Sequence, residues 1–151
     1  MRLVVQRVRQ ASVTVDGECI SEIGSGLLVL AGVSHDDTPF DARFLAKKTA
    51  NLRIFEDAEG KMNRSVKDVG GEILSVSQFT LYGNCVKGNR PSFIDAARPE
   101  QGEELFNEYV GALGKLGFVL HTGQFGADMK VELLNDGPVT LILESTGRTE
   151  N

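Results

Sequence analysis

The stretch Gly26-Leu27-Leu28-Val29-Leu30-Ala31-Gly32-Val33 is the longest apolar run in the chain and constrains its fold more than any other feature. It is far shorter than the roughly 20 residues of a membrane span, so no membrane association is expected. It also lacks the polar alternation of a half-buried strand, and therefore reads as a strand buried on both faces. Upstream, residues 3–9 alternate loosely and residues 11–15 carry a β-branched, period-two pattern that stops at Asp16-Gly17. Asp-Gly between such runs is a hairpin signal and predicts antiparallel pairing of residues 12–16 with 18–23.

Thr38-Pro39-Phe40-Asp41 supplies a capping residue, a proline at the first helical position and an acid three residues after the cap. This predicts a helix to about Asn51 with Phe40, Phe44, Leu45 and Leu52 toward one face. A short strand over 53–55, turns with an irregular hairpin over 57–71, a strand over 72–81 and a loop over 82–91 follow. After Arg98-Pro99, the spacing of Leu105, Phe106, Tyr109, Val110, Leu113 and Leu116 predicts a second helix that Gly117 closes. Strands are expected over 118–122, 129–134 and 139–144, and a loose tail over 146–151. The order predicts an α/β chain of the α+β type: a mixed, largely antiparallel sheet or partly closed barrel with two flanking helices, in one domain over 1–151. At 151 residues such a domain buries about 68–70% of its unfolded surface.

Composition narrows the function. With 16 Lys+Arg against 21 Asp+Glu the net charge is −5, which disfavours a general polyanion binder and DNA in particular. The two cysteines, Cys19 and Cys85, form no Cys-x-x-Cys pair and read as reduced thiols. Without a signal-like N-terminus the chain is expected in the cytoplasm. His35 and His121 are the only histidines and belong to no ligand pair, so no metal is expected. Residues 83–89 have the glycine spacing of a phosphate loop but carry Asn89 in place of its lysine. Gly24-Ser25-Gly26 is a turn rather than a nucleophile elbow, and the Asn63-Arg64-Ser65 sequon is a chance match. The acid pairs Asp36-Asp37 and Glu103-Glu104 sit near helix starts and read as caps.

Two segments break local rules. Ser75-Val76-Ser77-Gln78-Phe79-Thr80-Leu81 sets four polar residues without strict alternation at a strand end. It is either an edge strand with hydroxyls in water, which composition favours, or a pocket lining whose backbone N–H groups are free for a ligand. Asn135-Asp136-Gly137-Pro138 reads as a hairpin turn closed by a proline that cannot donate to a ladder. From the residues alone its Gly137-Pro138 bond is expected trans, with cis the alternative.

Taken together, Ser77-Gln78-Phe79-Thr80-Leu81 and the later Gly137-Pro138-Val139-Thr140 resemble the D-aminoacyl-tRNA deacylases. The likeness runs along the whole chain, through Met1, Arg2, Val4, Gln6, Arg7, Val8 and Ala11-Ser12-Val13, the Gly26 to Val33 strand and Lys61-Met62-Asn63. The resemblance implies hydrolysis of the ester between a D-amino acid and the terminal ribose of tRNA, removal of mischarged glycine, a cytoplasmic homodimer and no cofactor. It implies that Ser77, Gln78, Phe79 and Thr80 floor the pocket. It also implies that Gly137-Pro138 is cis and enters the other subunit's site, braced by Arg7, whose plain reading is a surface strand charge. Thr80 Oγ is then the candidate nucleophile, ranked below water helped by backbone donors and the ribose 2′-OH because no histidine or lysine neighbour activates it. Lys87 and Arg90 read as solvated loop charges, with contact to tRNA phosphates as the alternative. The competing function is a non-catalytic dimeric module that binds an RNA end or a nucleotide.

Overall fold

Asp16 and Gly17 both adopt positive φ, 50° and 79°, the turn whose twist matches two antiparallel strands. They join Arg2–Val15 (β1) to Glu18–Ile23 (β2), as expected. In the computed structural model, which describes residues 1–145, the chain continues through Gly26–Gly32 (β3), Pro39–Asn51 (α1), Phe55–Glu56 (β4) and Met62–Arg64 (β5). Glu72–Ser77 (β6), a short 3₁₀ turn at Phe79–Tyr82, Pro99–Lys115 (α2), His121–Thr122 (β7) and Lys130–Glu144 (β8) complete it. The tail expected over 146–151 lies outside the described residues.

The main sheet runs β2-β1-β3-β6-β7, with β8 on the remaining edge of β1. β1 is antiparallel to β2, β3 and β8, whereas β3–β6 and β6–β7 are parallel. The far end of β2 comes back against β6 and β7. There the Gly24 N–H donates to Glu72 Oε1 at 3.1 Å and His121 Nε2 lies 3.0 Å from Glu72 Oε2, so the mixed sheet curls nearly into a barrel.

That curl explains the unbroken apolar run in β3. Leu27, Val29 and Ala31 face the helices together with Leu3, Val5 and Ile73, while Leu28 faces the curled interior with Val8, Val13, Leu74 and Val76. Both faces of the strand are dry. Gly26 is required where β3 meets β6, since a Cβ there would stand 1.9 Å from the Glu72 carbonyl oxygen.

The helix start at Thr38 is a capping box: Asp41 Oδ2 accepts from the Thr38 N–H at 2.8 Å and from its hydroxyl at 3.1 Å. The buried stripe of α1 differs from the expected one. Ala42, Leu45, Ala46, Thr49 and Ala50 face inward, and Phe40 and Phe44 flank them, because small residues let α2 approach closely. Asp37 is not a helix cap. Its carboxylate accepts from the Ser34 N–H at 2.7 Å and contacts the Met1 amine, closing the loop ahead of α1. Glu103 and Glu104 fall in the second turn of α2 and are exposed, so they cap nothing either.

Two strands expected at the C-terminal end are one. β8 keeps a single direction along β1 from Lys130 to Glu144, and Asn135-Asp136-Gly137 is a bulge rather than a hairpin turn.

Replacing Gly26 by alanine forces a clash with backbone, and urea unfolding should show a loss of about 1–3 kcal/mol or more. A pH dependence follows from Asp41. Burial pushes its carboxyl up, but the Thr38 N–H, the Ser145 and Thr38 hydroxyls and the nearby amine outweigh burial and hold it below its ordinary 3.8. The charged form therefore stabilises the fold above about pH 4, and this is lost as pH falls through the lowered value. Asp41→Asn should unfold more easily than the parent at pH 7, with the gap closing in acid; a constant gap would contradict the assignment.

Candidate active site

β3 and β6 run in register from Gly26 opposite Glu72 to Ala31 opposite Ser77. The last rung is the Gln78 N–H donating to the Ala31 carbonyl at 2.8 Å. Beyond it the chain leaves the ladder, so the strand expected to reach Leu81 stops at Ser77 and Phe79–Tyr82 coils as one 3₁₀ turn. Gly32 makes room for that turn. A Cβ on it would lie 3.0 Å from both the Gln78 carbonyl oxygen and Leu81 Cβ.

Arg2 holds the turn from the other side. Its Nη1 donates to the Leu81 carbonyl at 2.7 Å, its guanidinium lies 4.8 Å from the Tyr82 ring centroid, and its Nε pairs with Glu144. Burial, with the negative charge of Asp37 adding to it, pushes the Tyr82 phenol well above its ordinary value and keeps it neutral.

A helical turn leaves its first N–H groups without a partner inside the turn. Among the described residues no hydrogen bond engages the N–H of Phe79 or Thr80. Gln78 Nε2 donates to Thr80 Oγ1, which ties the hydroxyl down beside them.

Ser77, Gln78 and Phe79 line a cavity of about 600 Å³, closed on other sides by Gly102 and Phe106 of α2 and by Phe125 and Met129. Among the described residues the ionisable side chains on its wall are Arg98 and Asp128, and Lys130 Nζ lies 3.1 Å from Asp128. His35 pairs with Asp36 and His121 with Glu72, both away from the wall. Such a wall holds an apolar or aromatic group and offers backbone donors. It supplies no histidine or lysine to activate a hydroxyl. Among the described residues no three His, Cys, Asp or Glu side chains are placed to hold a metal ion.

Thr80, expected on the pocket floor, is exposed and is not among the residues that line this cavity, and Arg7, Gly137 and Pro138 form a second cluster away from it. Between Gln6 opposite Thr140 and Val8 opposite Asn135, β8 has more residues than β1, and the surplus bulges from the ladder. Gly137, at φ +127°, and Pro138 sit exposed at its crest, joined by a cis peptide bond rather than the trans bond that the residues alone favour. Arg7 is not a surface charge. It is buried, donating from Nε to the Asp136 carbonyl at 3.1 Å and from Nη1 to the Ile54 carbonyl at 2.7 Å. Its Nη2 lies 3.0 Å from where a Gly137 Cβ would stand.

Sequence reasoning missed Asn135, whose Nδ2 donates to the carbonyls of Arg7 and Val139, each at 3.0 Å, and so staples both ends of the bulge. An asparagine in an apparent turn carried no signal for this. Gly32 and Arg2 stand out in the sequence only as parts of a longer pattern, and it is the packing that assigns them to the turn.

The D-Tyr-tRNA(Tyr) deacylase family matches residues 4–144. A D-aminoacyl-tRNA deacylase of Brevibacillus brevis is 61% identical over 145 residues, covering 96% of this chain and 100% of the relative. One from Chloroherpeton thalassium is 61% identical over 151 residues, covering 99% of each. A solved structure named as a c-Myc DNA unwinding element binding protein superposes with a TM-score of 0.91 at 49% identity, covering 96% of this chain and 99% of that one. A probable eukaryotic D-amino acid tRNA deacylase shares the fold at a TM-score of 0.80 and 18% identity, over 95% of this chain and 98% of that one.

Removing the Arg7 guanidinium leaves two carbonyls without their donor. Arg7→Ala should cost about 1–3 kcal/mol in urea unfolding and speed amide exchange over residues 136–139. Unchanged exchange there would contradict the bracing role.

Proposed function

The chain belongs to the D-Tyr-tRNA(Tyr) deacylase family, and from that footing we propose that it hydrolyses the ester joining a D-amino acid to the terminal ribose of tRNA, and that it also clears glycine mischarged on tRNA-Ala. The observation that carries the reading is the end of β6, where the backbone leaves the sheet at the cavity wall and the N–H groups of Phe79, which lines that wall, and of Thr80, which follows it, are unengaged.

Attack on the ester carbonyl places negative charge on its oxygen. Two preorganised backbone donors stabilise that oxyanion by several kcal/mol once the bound substrate covers them. A water molecule forms the new bond to the carbonyl carbon, the bond to the ribose oxygen breaks, and that oxygen takes the proton. With no histidine or lysine on the wall, the neighbouring 2′-OH of the substrate assists the proton transfer. Thr80 Oγ is held by Gln78 beside the cavity wall and does not act as nucleophile. Ser77 and Gln78 set the approach of the substrate.

Selectivity comes from a second copy of the chain, whose Gly137 and Pro138 reach into the cavity of the first. Their carbonyls accept the α-ammonium of a D-residue or glycine, and an L side chain would collide with the same backbone. Discrimination then does not depend on which amino acid is attached. Support lies in the exposure of the Gly137-Pro138 crest, its absence from its own cavity, and β8 itself. Among the described residues that strand pairs only with β1, and it exposes Leu133, Leu134, Leu141 and Ile142. Aminoacyl-tRNA as substrate places the protein in the cytoplasm, and the acidic balance gives a duplex-DNA partner no electrostatic support.

Incubation with D-tyrosyl-, L-tyrosyl- and glycyl-tRNA should release the D-residue and glycine and spare the L-residue. Equal loss from both enantiomers would end the filter, and tRNA binding without ester loss would favour the non-catalytic module. Thr80→Ala keeps the backbone amide and should stay within about tenfold of the parent rate, whereas losing one oxyanion donor typically costs about 10² to 10³. An acyl ester trapped on Thr80 would overturn this mechanism.

A further inference from the structure

Residues 84–92 form an exposed loop closed at its neck, where the Asn84 N–H donates to the Ser92 carbonyl at 2.7 Å and the Ser92 N–H to the Asn84 carbonyl at 2.9 Å. Within it, Asn84, Val86, Lys87 and Ser92 border a second, open cavity of about 280 Å³. The charged residues of this loop, Lys87 and Arg90, are both cations in a chain of net charge −5. Among the described residues neither pairs with a carboxylate.

The neck of the loop adjoins the mouth of the larger cavity. Phe93 follows Ser92, its ring lies 3.0 Å from where a Gly83 Cβ would stand, and it packs edge-on against Phe79 with centroids 5.3 Å apart. Both rings border the larger cavity and remain 58% and 38% exposed for Phe79 and Phe93. Exposed aromatic faces beside unpaired cations suit a nucleic-acid strand: rings take the flat base and cations its phosphate.

We propose that Phe79, Phe93 and loop 84–92 form a subsite for the nucleotide that precedes the terminal adenosine of the bound RNA end. Its base stacks on the aromatic pair. The phosphate that follows or precedes it is taken at the smaller cavity by Lys87, with Asn84 and Ser92 as hydrogen-bond donors, and Arg90 adds long-range attraction. The proposal rests on the deacylase reading and adds a determinant of RNA length to it. Local positive charge on an acidic protein thus concentrates affinity at the single-stranded end rather than along a duplex.

The test compares D-tyrosyl-adenosine, the D-tyrosyl ester of the dinucleotide CpA, and D-tyrosyl-tRNA. One stacked base is worth about 1–3 kcal/mol, so kcat/KM on the dinucleotide should exceed that on the nucleoside by about tenfold or more. Phe93→Ala should bring the dinucleotide-to-nucleoside ratio close to one. Replacing Lys87 and Arg90 together by alanine should raise KM for D-tyrosyl-tRNA several-fold and flatten its logarithmic salt slope by about 0.7 for each phosphate that is no longer neutralised. Equal rates on nucleoside and dinucleotide, or a Lys87/Arg90 variant with the parent KM and salt slope, would overturn the subsite while leaving the deacylase reading standing. Ester loss from none of the three substrates would overturn both.

Discussion

The parallel pairing of β3 with β6 positions every group at the cavity. Parallel strands end on the same side, and here β3, β6 and β7 all deliver their carboxyl ends to the mouth from which α2 departs. Glycine permits the pairing at both extremities: Gly26 lets β3 start against the Glu72 backbone, and Gly32 lets the turn after β6 fold over the end of β3. Had the ladder continued past the bond from Gln78 to Ala31, the N–H of Thr80, which a strand turns to the same edge as that of Gln78, would have been consumed by it. That donor exists because the sheet stops there.

Side chains around the site act mainly by holding backbone in place. Arg2 clasps the 3₁₀ turn to β1, Arg7 ties the Gly137-Pro138 bulge to the Ile54 carbonyl, and Asn135 bridges the ends of that bulge. Beneath β6, the fully buried Tyr109 shares hydrogen bonds with Thr49, at 3.1 Å, and Ser75, and burial pushes its phenol well above the ordinary value. Rigid backbone suits the proposed filter between mirror-image substrates, since a peptide group has fewer ways to yield than a side chain.

Much of this was legible in the residues. The Asp16-Gly17 hairpin, the doubly buried β3, the proline-led starts of both helices and the mixed, nearly closed sheet follow from periodicity and turn chemistry. The end of β6 was not legible, because the broken alternation over residues 75–81 does not say at which residue pairing stops, and Gly32, distant in sequence, makes room for the turn that ends it. The Asn135-Asp136-Gly137 segment misled for a similar reason. Its composition suits a hairpin, but the long β1 offers β8 a partner on both sides of the bulge, so continuing along β1 satisfies more backbone than turning away. The site motifs were found by resemblance to a family, and only the fold shows that Ser77, Gln78 and Phe79 share one cavity while Arg7, Gly137 and Pro138 form a separate cluster.

The central claim is that backbone donors and the substrate itself, rather than a nucleophilic side chain, carry the chemistry. The most direct measurement is single-turnover hydrolysis of D-tyrosyl-tRNA whose terminal ribose lacks its 2′-OH, compared with the same ester on intact tRNA. The account predicts that binding persists while the chemical step slows severely. Turnover of the 2′-deoxy substrate at the rate of the intact one would contradict it.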